Sequence, residues 1–279
     1  MKVLSLFDGI SCGKLALDRA GINVSHYVAC EIDKYAIQVS KANHKDIEHI
    51  GDVTKLTFQP DYFDLLIGGS PCQGFSFAGK GLNFEDERSK LFFEYVRILN
   101  EVKPEYFLLE NVVMKQEFQD VISGYLGVKP IKINSSLLSA QNRERLYWTN
   151  ILNVAQPEDK GIVLSDILET DYSFKLYIKM NKIKNCHTKA GCLHGTANAA
   201  GNHSQMDVIV KDNEVVPLTS TGRIDIHINP NVRRYNIVEC ERLQTLPDGY
   251  TKSVSPSQAH KQIINGWTVD VIAHILSFI

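Results

Sequence analysis

The sequence predicts an α/β fold: a mostly parallel, doubly wound sheet that carries a smaller domain of mostly β and irregular structure. Three observations lead there. Short apolar runs alternate with amphipathic stretches over residues 1–150, the composition changes after Trp148, and an apolar helical period returns at 257–279. The chain has 279 residues, 44% hydrophobic and 22% charged, without a Pro-rich or Ser-rich tract. It is long enough for a large domain with an appendage and reads as ordered over most of its length.

Taken in order, residues 3–7 form a short apolar strand, 9–13 a glycine-bounded turn, and 14–20 a helix closed by Gly21. A strand at 27–30 and a helix at 34–43 repeat the pattern. Residues 65–67 are a buried strand running into Gly68-Gly69, 91–102 a helix, and 106–109 another strand. Ligands of such a sheet sit outside the carboxyl ends of its strands. From about 155 to 250 the chain is richer in Asn, Lys, Gly and His. This stretch has strand-like pieces at 207–210 and 224–228 and no strong helical period, so 155–252 reads as the smaller domain. Residues 1–154 and 253–279 then form the larger one. Its tail is amphipathic through Ile263, Ile264, Trp267, Val271, Ile272, Ile275 and Leu276 and is expected to pack back on the first domain.

The apolar run before Asp8 is too short for a signal peptide and no later stretch could span a bilayer, so a cytoplasmic address and no membrane partner are expected. Cysteines at 12, 30, 72, 186, 192 and 240 are too scattered for a disulfide framework and read as reduced thiols. A net charge of −2 gives no global attraction to nucleic acid. A local surface is available instead. Between 172 and 206 stand Lys175, Lys179, Lys182, Lys184 and Lys189 and no acid, which suits either a phosphate backbone or a solvated face.

After Phe7, the segment Asp8-Gly9-Ile10-Ser11-Cys12-Gly13 resembles a nucleotide-cofactor loop in which glycine lets the backbone approach a ligand. Glu31 ends the second strand, where an acid accepts hydrogen bonds from ribose hydroxyls. Asp52 in Gly51-Asp52-Val53 is placed to meet an adenine amino group, although either acid alone is as readily a loop carboxylate. A dinucleotide needs the full glycine pattern to seat a pyrophosphate, and S-adenosylmethionine has none to seat. Cys72, in Gly69-Ser70-Pro71-Cys72-Gln73-Gly74-Phe75-Ser76, stands at the carboxyl edge of the sheet, where a reactive thiol belongs, whereas most lone cysteines are buried structural ones. Glu110 arrives at the end of another buried strand, and Arg143 and Arg145, two apart in an extended segment, project from one face. Together they suggest an anionic or carbonyl-bearing substrate.

In chain order, the Phe7 loop, Glu31, Asp52, Pro71-Cys72-Gln73, residues 86–93, Glu110-Asn111-Val112, residues 141–145, Glu239-Cys240-Glu241-Arg242-Leu243-Gln244 and residues 262–265 resemble the DNA cytosine-5 methyltransferase family over nearly the whole chain. The likeness is to its bacterial and phage members, with Phe7-Asp8-Gly9-Ile10 and Asn265-Gly266-Trp267-Thr268-Val269 similar to the animal de novo enzymes. The resemblance implies a Rossmann-like, adenosylmethionine-dependent methyltransferase sheet with a target-recognition domain at 155–252. It implies S-adenosyl-L-methionine as methyl donor and S-adenosyl-L-homocysteine as product. Phe7, Gly9, Glu31, Ile32, Asp52, Pro71, Leu91 and Asn265 are then the cofactor-binding residues, and Cys72, Glu110, Arg143 and Arg145 the catalytic ones. Double-stranded DNA is the expected partner, a cognate restriction enzyme an allowed companion, a monomer the expected state, and a prokaryotic or phage-infected cell the expected setting.

The chemistry agrees. Carbon 5 of cytosine is a poor nucleophile, so a thiolate, Cys72, adds at carbon 6 and makes carbon 5 enamine-like. Glu110 would hydrogen-bond N3 and the exocyclic amine, Arg145 would hold the carbonyl oxygen, Arg143 would brace the site, and water would take the carbon 5 proton. A stacked base is out of reach, so it must be flipped, with the glycine-rich run 74–81 as a lid. The chain departs from the family at Ser11-Cys12, where many bacterial relatives have two glycines, and at Pro217, where a threonine is usual. The first leaves cofactor affinity open, and the second one phosphate contact. A tRNA-methylating relative, a non-catalytic DNA binder and a nicotinamide oxidoreductase each explain fewer of these residues. No metal site is expected, because Cys186, His187, Cys192, His194 and His203 do not form paired zinc knuckles.

Overall fold

The computed structural model describes residues 1–70, 87–169, 207–211, 214–217 and 231–279. Pro71, Cys72, the run 74–81, the lysine-rich stretch 172–206 with its cysteines and histidines, and the strand expected at 224–228 lie outside the described residues.

The first strand, β1 (Lys2–Leu6), is buried from Val3 onward, the unbroken burial of a strand covered on both faces. α1 (Cys12–Arg19), β2 (His26–Cys30), α2 (Lys34–Asn43) and β3 (Ile47–His49) follow. α2 starts where the Asp33 side chain accepts from the Tyr35 and Ala36 amides. β4 (Leu65–Gly69), α3 (Glu87–Val102), β5 (Tyr106–Val112), α4 (Gln116–Leu126), β6 (Ile131–Asn134) and β7 (Glu144–Thr149) complete a seven-stranded sheet of order β3-β2-β1-β4-β5-β7-β6. β1 pairs in parallel with β2 and β4, β2 with β3, and β4 with β5. β7 runs antiparallel to its neighbour in this sheet, β5. The sheet is therefore doubly wound and mixed. The chain winds outward from β1 in one direction through β2 and β3 and returns to its other side with β4. The carboxyl ends of β1, β2 and β4 thus lie side by side at the switch point where doubly wound sheets bind ligands.

The core under this sheet includes Leu4, Leu66, Phe92, Tyr95, Ile98, Leu109 and Trp148. α3 lies so close to β4 that a Cβ on Gly68 would come within 3.0 Å of both the Leu6 carbonyl oxygen and the Tyr95 ring.

The chain divides into two compact units, Met1–Ile133 with Glu144–Gln156 and Val269–Ile279, and Asn134–Arg143 with Pro157–Thr268. These limits differ from 155–252 in the placing of 134–143 and 253–268. The tail is two helices, α6 (Pro256–Asn265) and α7 (Val269–Leu276), because Gly266 is extended (φ −71°, ψ 168°) between them. α7 packs on α1, with Arg19 and Asp270 paired at 2.7 Å. α6 groups instead with the second unit, where Arg143 donates to the Ile264 and Gly266 carbonyls at 3.2 Å each. Ser139 and Gln141 likewise bind the Leu243 carbonyl. The second unit holds a three-stranded antiparallel sheet, β10-β8-β9, built from β8 (Asp207–Lys211), β9 (Glu214–Pro217) and β10 (Asn231–Arg234). It also contains α5 (Ile237–Leu243), a helix where no helical period was read. Seven residues are too few for a period to show, and the helix starts on a reciprocal cap between Asn236 and Glu239.

Candidate active site

Past β1 the backbone alternates into the left-handed region at Phe7 (φ 56°), Gly9 (φ 59°) and Ser11 (φ 61°). For the two non-glycine residues this costs on the order of 1 kcal/mol each, so something must hold them there. The Asp8 amide donates to the Cys30 carbonyl at 3.1 Å and the Gly9 amide to Glu31 Oε2 at 2.8 Å. Glu31 Oε1 accepts from the Ile32 and Asp33 amides at 2.7 and 2.8 Å. The Glu31 carboxylate is therefore rigidly aimed, with lone-pair capacity left on Oε2. Next to it in the chain, Ile32 is 75% exposed and offers an apolar surface. Phe7 and Leu91 are half-buried against the core on the same unit. Asp52 accepts from the Thr54 hydroxyl and amide, which hold its carboxyl below the ordinary carboxylate value and keep it an acceptor. Burial, with Asp8, Glu31 and Asp52 nearby, pushes the Cys30 thiol up to about 12, so Cys30 is no nucleophile.

Sequence reasoning missed Arg97. On α3, its guanidinium donates to the Val53 and Leu56 carbonyls at 3.2 and 3.0 Å and is itself held by Glu94 and Glu101 at 2.6 Å each. It thus ties the turn after Asp52 to the helix that carries Leu91. An arginine four residues from one acid and three from another reads as an ordinary helix-surface charge, and nothing local marks its reach.

On the other side of the switch point, Glu110 lies inside β5, two residues before its end, opposite Gly69 on β4 and Tyr147 on β7. Arg145 sits opposite Val112, so Glu110 and Arg145 are diagonal neighbours on one face of the antiparallel pair. Arg145 Nε meets Glu110 Oε1 at 3.1 Å, the two side chains being 16% and 12% exposed. Next to Glu110, the buried Asn111 amide donates to Ser70 Oγ at 3.1 Å and its oxygen accepts from the Val112 amide. The residue that leads into Pro71-Cys72 is thereby fastened to β5, a second contact the sequence did not show.

Arg143 stands just ahead of β7, which begins at Glu144. It is buried in the second unit, its amide on Asn134 Oδ1 at 3.0 Å and its guanidinium on the carbonyls that flank Asn265. Gln244 holds the same turn through the Ile263 carbonyl at 3.0 Å and accepts from Thr268 at 2.8 Å. The structure thus brings Gly9, Glu31 and Ile32 together, and separately Glu110 and Arg145. Asn265 and Arg143 belong to the second unit.

A carboxylate after β2, a bent loop after β1 and a seven-stranded sheet in which β7 runs antiparallel to β5 define the Rossmann-like fold of adenosylmethionine-dependent methyltransferases. Solved structures agree in fold. The S. pombe Dnmt2 methyltransferase superposes with a TM-score of 0.73 at 20% identity, covering 99% of this chain and 97% of that one. The Entamoeba histolytica methyltransferase EhMeth does so with a TM-score of 0.80 at 16% identity, covering 100% and 97%. The sequence matches the profile of the C-5 cytosine-specific DNA methylases over residues 1–185 and 164–279. It is 33% identical to the type II methyltransferase M.NlaX of Neisseria lactamica over 98% of this chain and 94% of that protein. It is 30% identical to M.HpaII of Haemophilus parainfluenzae over 96% and 86%. The chain belongs to the C-5 cytosine-specific DNA methylase family and is a DNA (cytosine-5-)-methyltransferase. The family activity takes its methyl group from S-adenosylmethionine.

Proposed function

We propose that the protein methylates carbon 5 of a flipped-out cytosine in a specific duplex DNA sequence, through an adduct between Cys72 and carbon 6. The observation that carries this is the Glu110–Arg145 pair, set on β5 and β7 beside the Asn111–Ser70 hydrogen bond that leads into Pro71-Cys72.

S-adenosyl-L-methionine, when bound, supplies an electrophilic methyl group and leaves as S-adenosyl-L-homocysteine. The residues fit it. Glu31 Oε2 would accept from the ribose hydroxyls, Ile32, Phe7 and Leu91 would offer apolar surface to the adenine, Asp52 would accept from its amino group, and Gly9 would let the chain pass close; Pro71 and Asn265 join the set by family likeness. Cys72 adds as a thiolate to carbon 6, and the displaced electron pair moves toward N3, where Glu110 delivers a proton. Arg145 orients Glu110 and holds the cytosine carbonyl oxygen. Carbon 5 takes the methyl group, water removes the carbon 5 proton, the Cys72 sulfur leaves with its bond pair, and N3 gives its proton back to Glu110, restoring the ring. Arg143 contributes at one remove by bracing the turn that carries Asn265. Residues 155–252 recognise the target, with loops 195–204 and 219–223 reading bases and the lysines of 172–206 meeting phosphates. The enzyme works as a monomer in the cytoplasm, with or without a cognate restriction enzyme.

A duplex carrying 5-fluorocytosine at the target tests this, because fluorine cannot leave as a cation in the elimination. An adduct that needs S-adenosylmethionine, survives denaturing electrophoresis and disappears in Cys72→Ser is expected. An adduct on fluorinated RNA and none on a DNA pool holding every short sequence context would overturn the DNA assignment.

A further inference from the structure

The left-handed turn at Ser11 is held by a chain of buried polar groups. Asp8 is buried, and its Oδ1 accepts from the Tyr27 hydroxyl at 2.7 Å while its Oδ2 accepts from the Ser11 hydroxyl. Ser11 Oγ lies 2.6 Å from Ser40 Oγ, and Ser40 Oγ 3.2 Å from His49 Nε2. Counting protons sets the direction. Ser11 spends its only proton on Asp8, so Ser40 must donate to Ser11, and His49 Nε2–H must donate to Ser40. Nδ1 of His49 is buried and has no hydrogen-bond partner among the described residues, as befits a neutral ring whose one proton sits on Nε2. Every donor in the chain thus points toward the Asp8 carboxylate, which ties together the loop after β1, β2, α2 and β3.

We propose that Asp8 is a positioning residue for the cofactor. By gripping the Ser11 and Tyr27 hydroxyls it holds residues 7–11 in the alternating left-handed path that sends the Gly9 N–H onto Glu31. It does with a polar latch what a glycine at position 11 would do through conformational freedom. Asp8 touches no reacting atom and acts through Gly9 and Glu31. The proposal rests on Glu31 being the cofactor's acceptor.

Calorimetric titration of the full chain with S-adenosylmethionine, together with its melting temperature and its steady-state kinetics on duplex DNA, tests this. Asp8→Asn keeps the side chain's size but offers one acceptor oxygen to two hydroxyl donors, and weakens cofactor binding about tenfold. The KM for cofactor rises in step, while kcat at saturating cofactor and the KM for DNA stay within about twofold, a split that general loosening would not produce. Adding Ser11→Gly to Asp8→Asn recovers most of the lost affinity, because glycine takes up the conformation unaided. Should Asp8→Asn fail to fold, Tyr27→Phe removes one donor and keeps the ring, with about a threefold loss of binding expected. Unchanged binding in whichever of the two folds, or a double variant no better than Asp8→Asn alone, overturns the latch. Wild-type protein that does not bind, or a Glu31→Ala variant that binds as the wild type does, instead overturns the cofactor assignment beneath it.

Discussion

Glu31 follows β2 and Glu110 lies in β5 of the same sheet, and the different roles proposed for them rest on what surrounds each. Glu31 is saturated with backbone N–H donors on one oxygen and is followed in the chain by an exposed isoleucine. Glu110 faces a guanidinium on the neighbouring strand. Glu31→Ala is therefore expected to weaken S-adenosylmethionine binding by about tenfold or more, since ribose hydroxyls lose a charged acceptor. Glu110→Gln should leave that binding intact and slow methyl transfer by about a hundredfold or more, since an amide delivers no proton. Calorimetry on both variants separates the two, and equal loss of cofactor binding in both would contradict the division. Both acids were legible in the sequence because each ends an apolar run. The partner of Glu110 was not. Arg145 meets it only because β7 runs antiparallel to β5 with Val112 opposite Arg145, and register is a property of the pairing rather than of either strand. The same blindness applied to Asp8, which looks from the sequence like one more loop acid. Burial raises its carboxyl from 3.8 to about 6, with the Ser11 and Tyr27 hydrogen bonds holding back part of the rise.

Among the elements, α3 does the most to shape the proposed cofactor side. It carries Leu91, lays Tyr95 across Gly68, and reaches with Arg97 to the turn after Asp52. Gly68→Ala would set a methyl group 3.0 Å from the Leu6 carbonyl oxygen in a central strand and from a fully buried ring, neither of which can give way freely. A loss of about 1–3 kcal/mol in unfolding free energy is expected, read from the denaturation midpoint. An unchanged midpoint would mean that α3 slides on the sheet at no cost. The helix itself was visible in the sequence from Leu91 onward through its apolar spacing, whereas its closeness to β4 was not. α5 and the break at Gly266 were also missed, the first because a short helix leaves no period and the second because the apolar spacing runs through the glycine without interruption.

For the molecule as a whole, a net charge of −2 means that attraction to DNA must come from a local surface. Lys182 and Lys184 stand in the longest acid-free lysine stretch, so replacing both with alanine should weaken binding to every duplex alike and lower the slope of log affinity against log salt by about 2. Salt titrations on target and non-target duplexes check this; a changed target sequence at unchanged affinity would show that these lysines read bases. The chain alone determined which chemistry is present. Phe7, Glu31, Cys72 and Glu110 each follow an apolar run in an order set by connectivity, and secondary structure and strand-end placement depend on spacing between near neighbours. The tertiary structure decided which residues stand together. Arg143 and Arg145 are two positions apart, yet one is held by carbonyls of the second unit and the other pairs with Glu110 in the first. Asp8, Ser40 and His49, scattered over three elements, become one hydrogen-bond chain. Such pairings are set by how strands register and helices dock, and these are interactions between segments far apart in sequence that no local window contains.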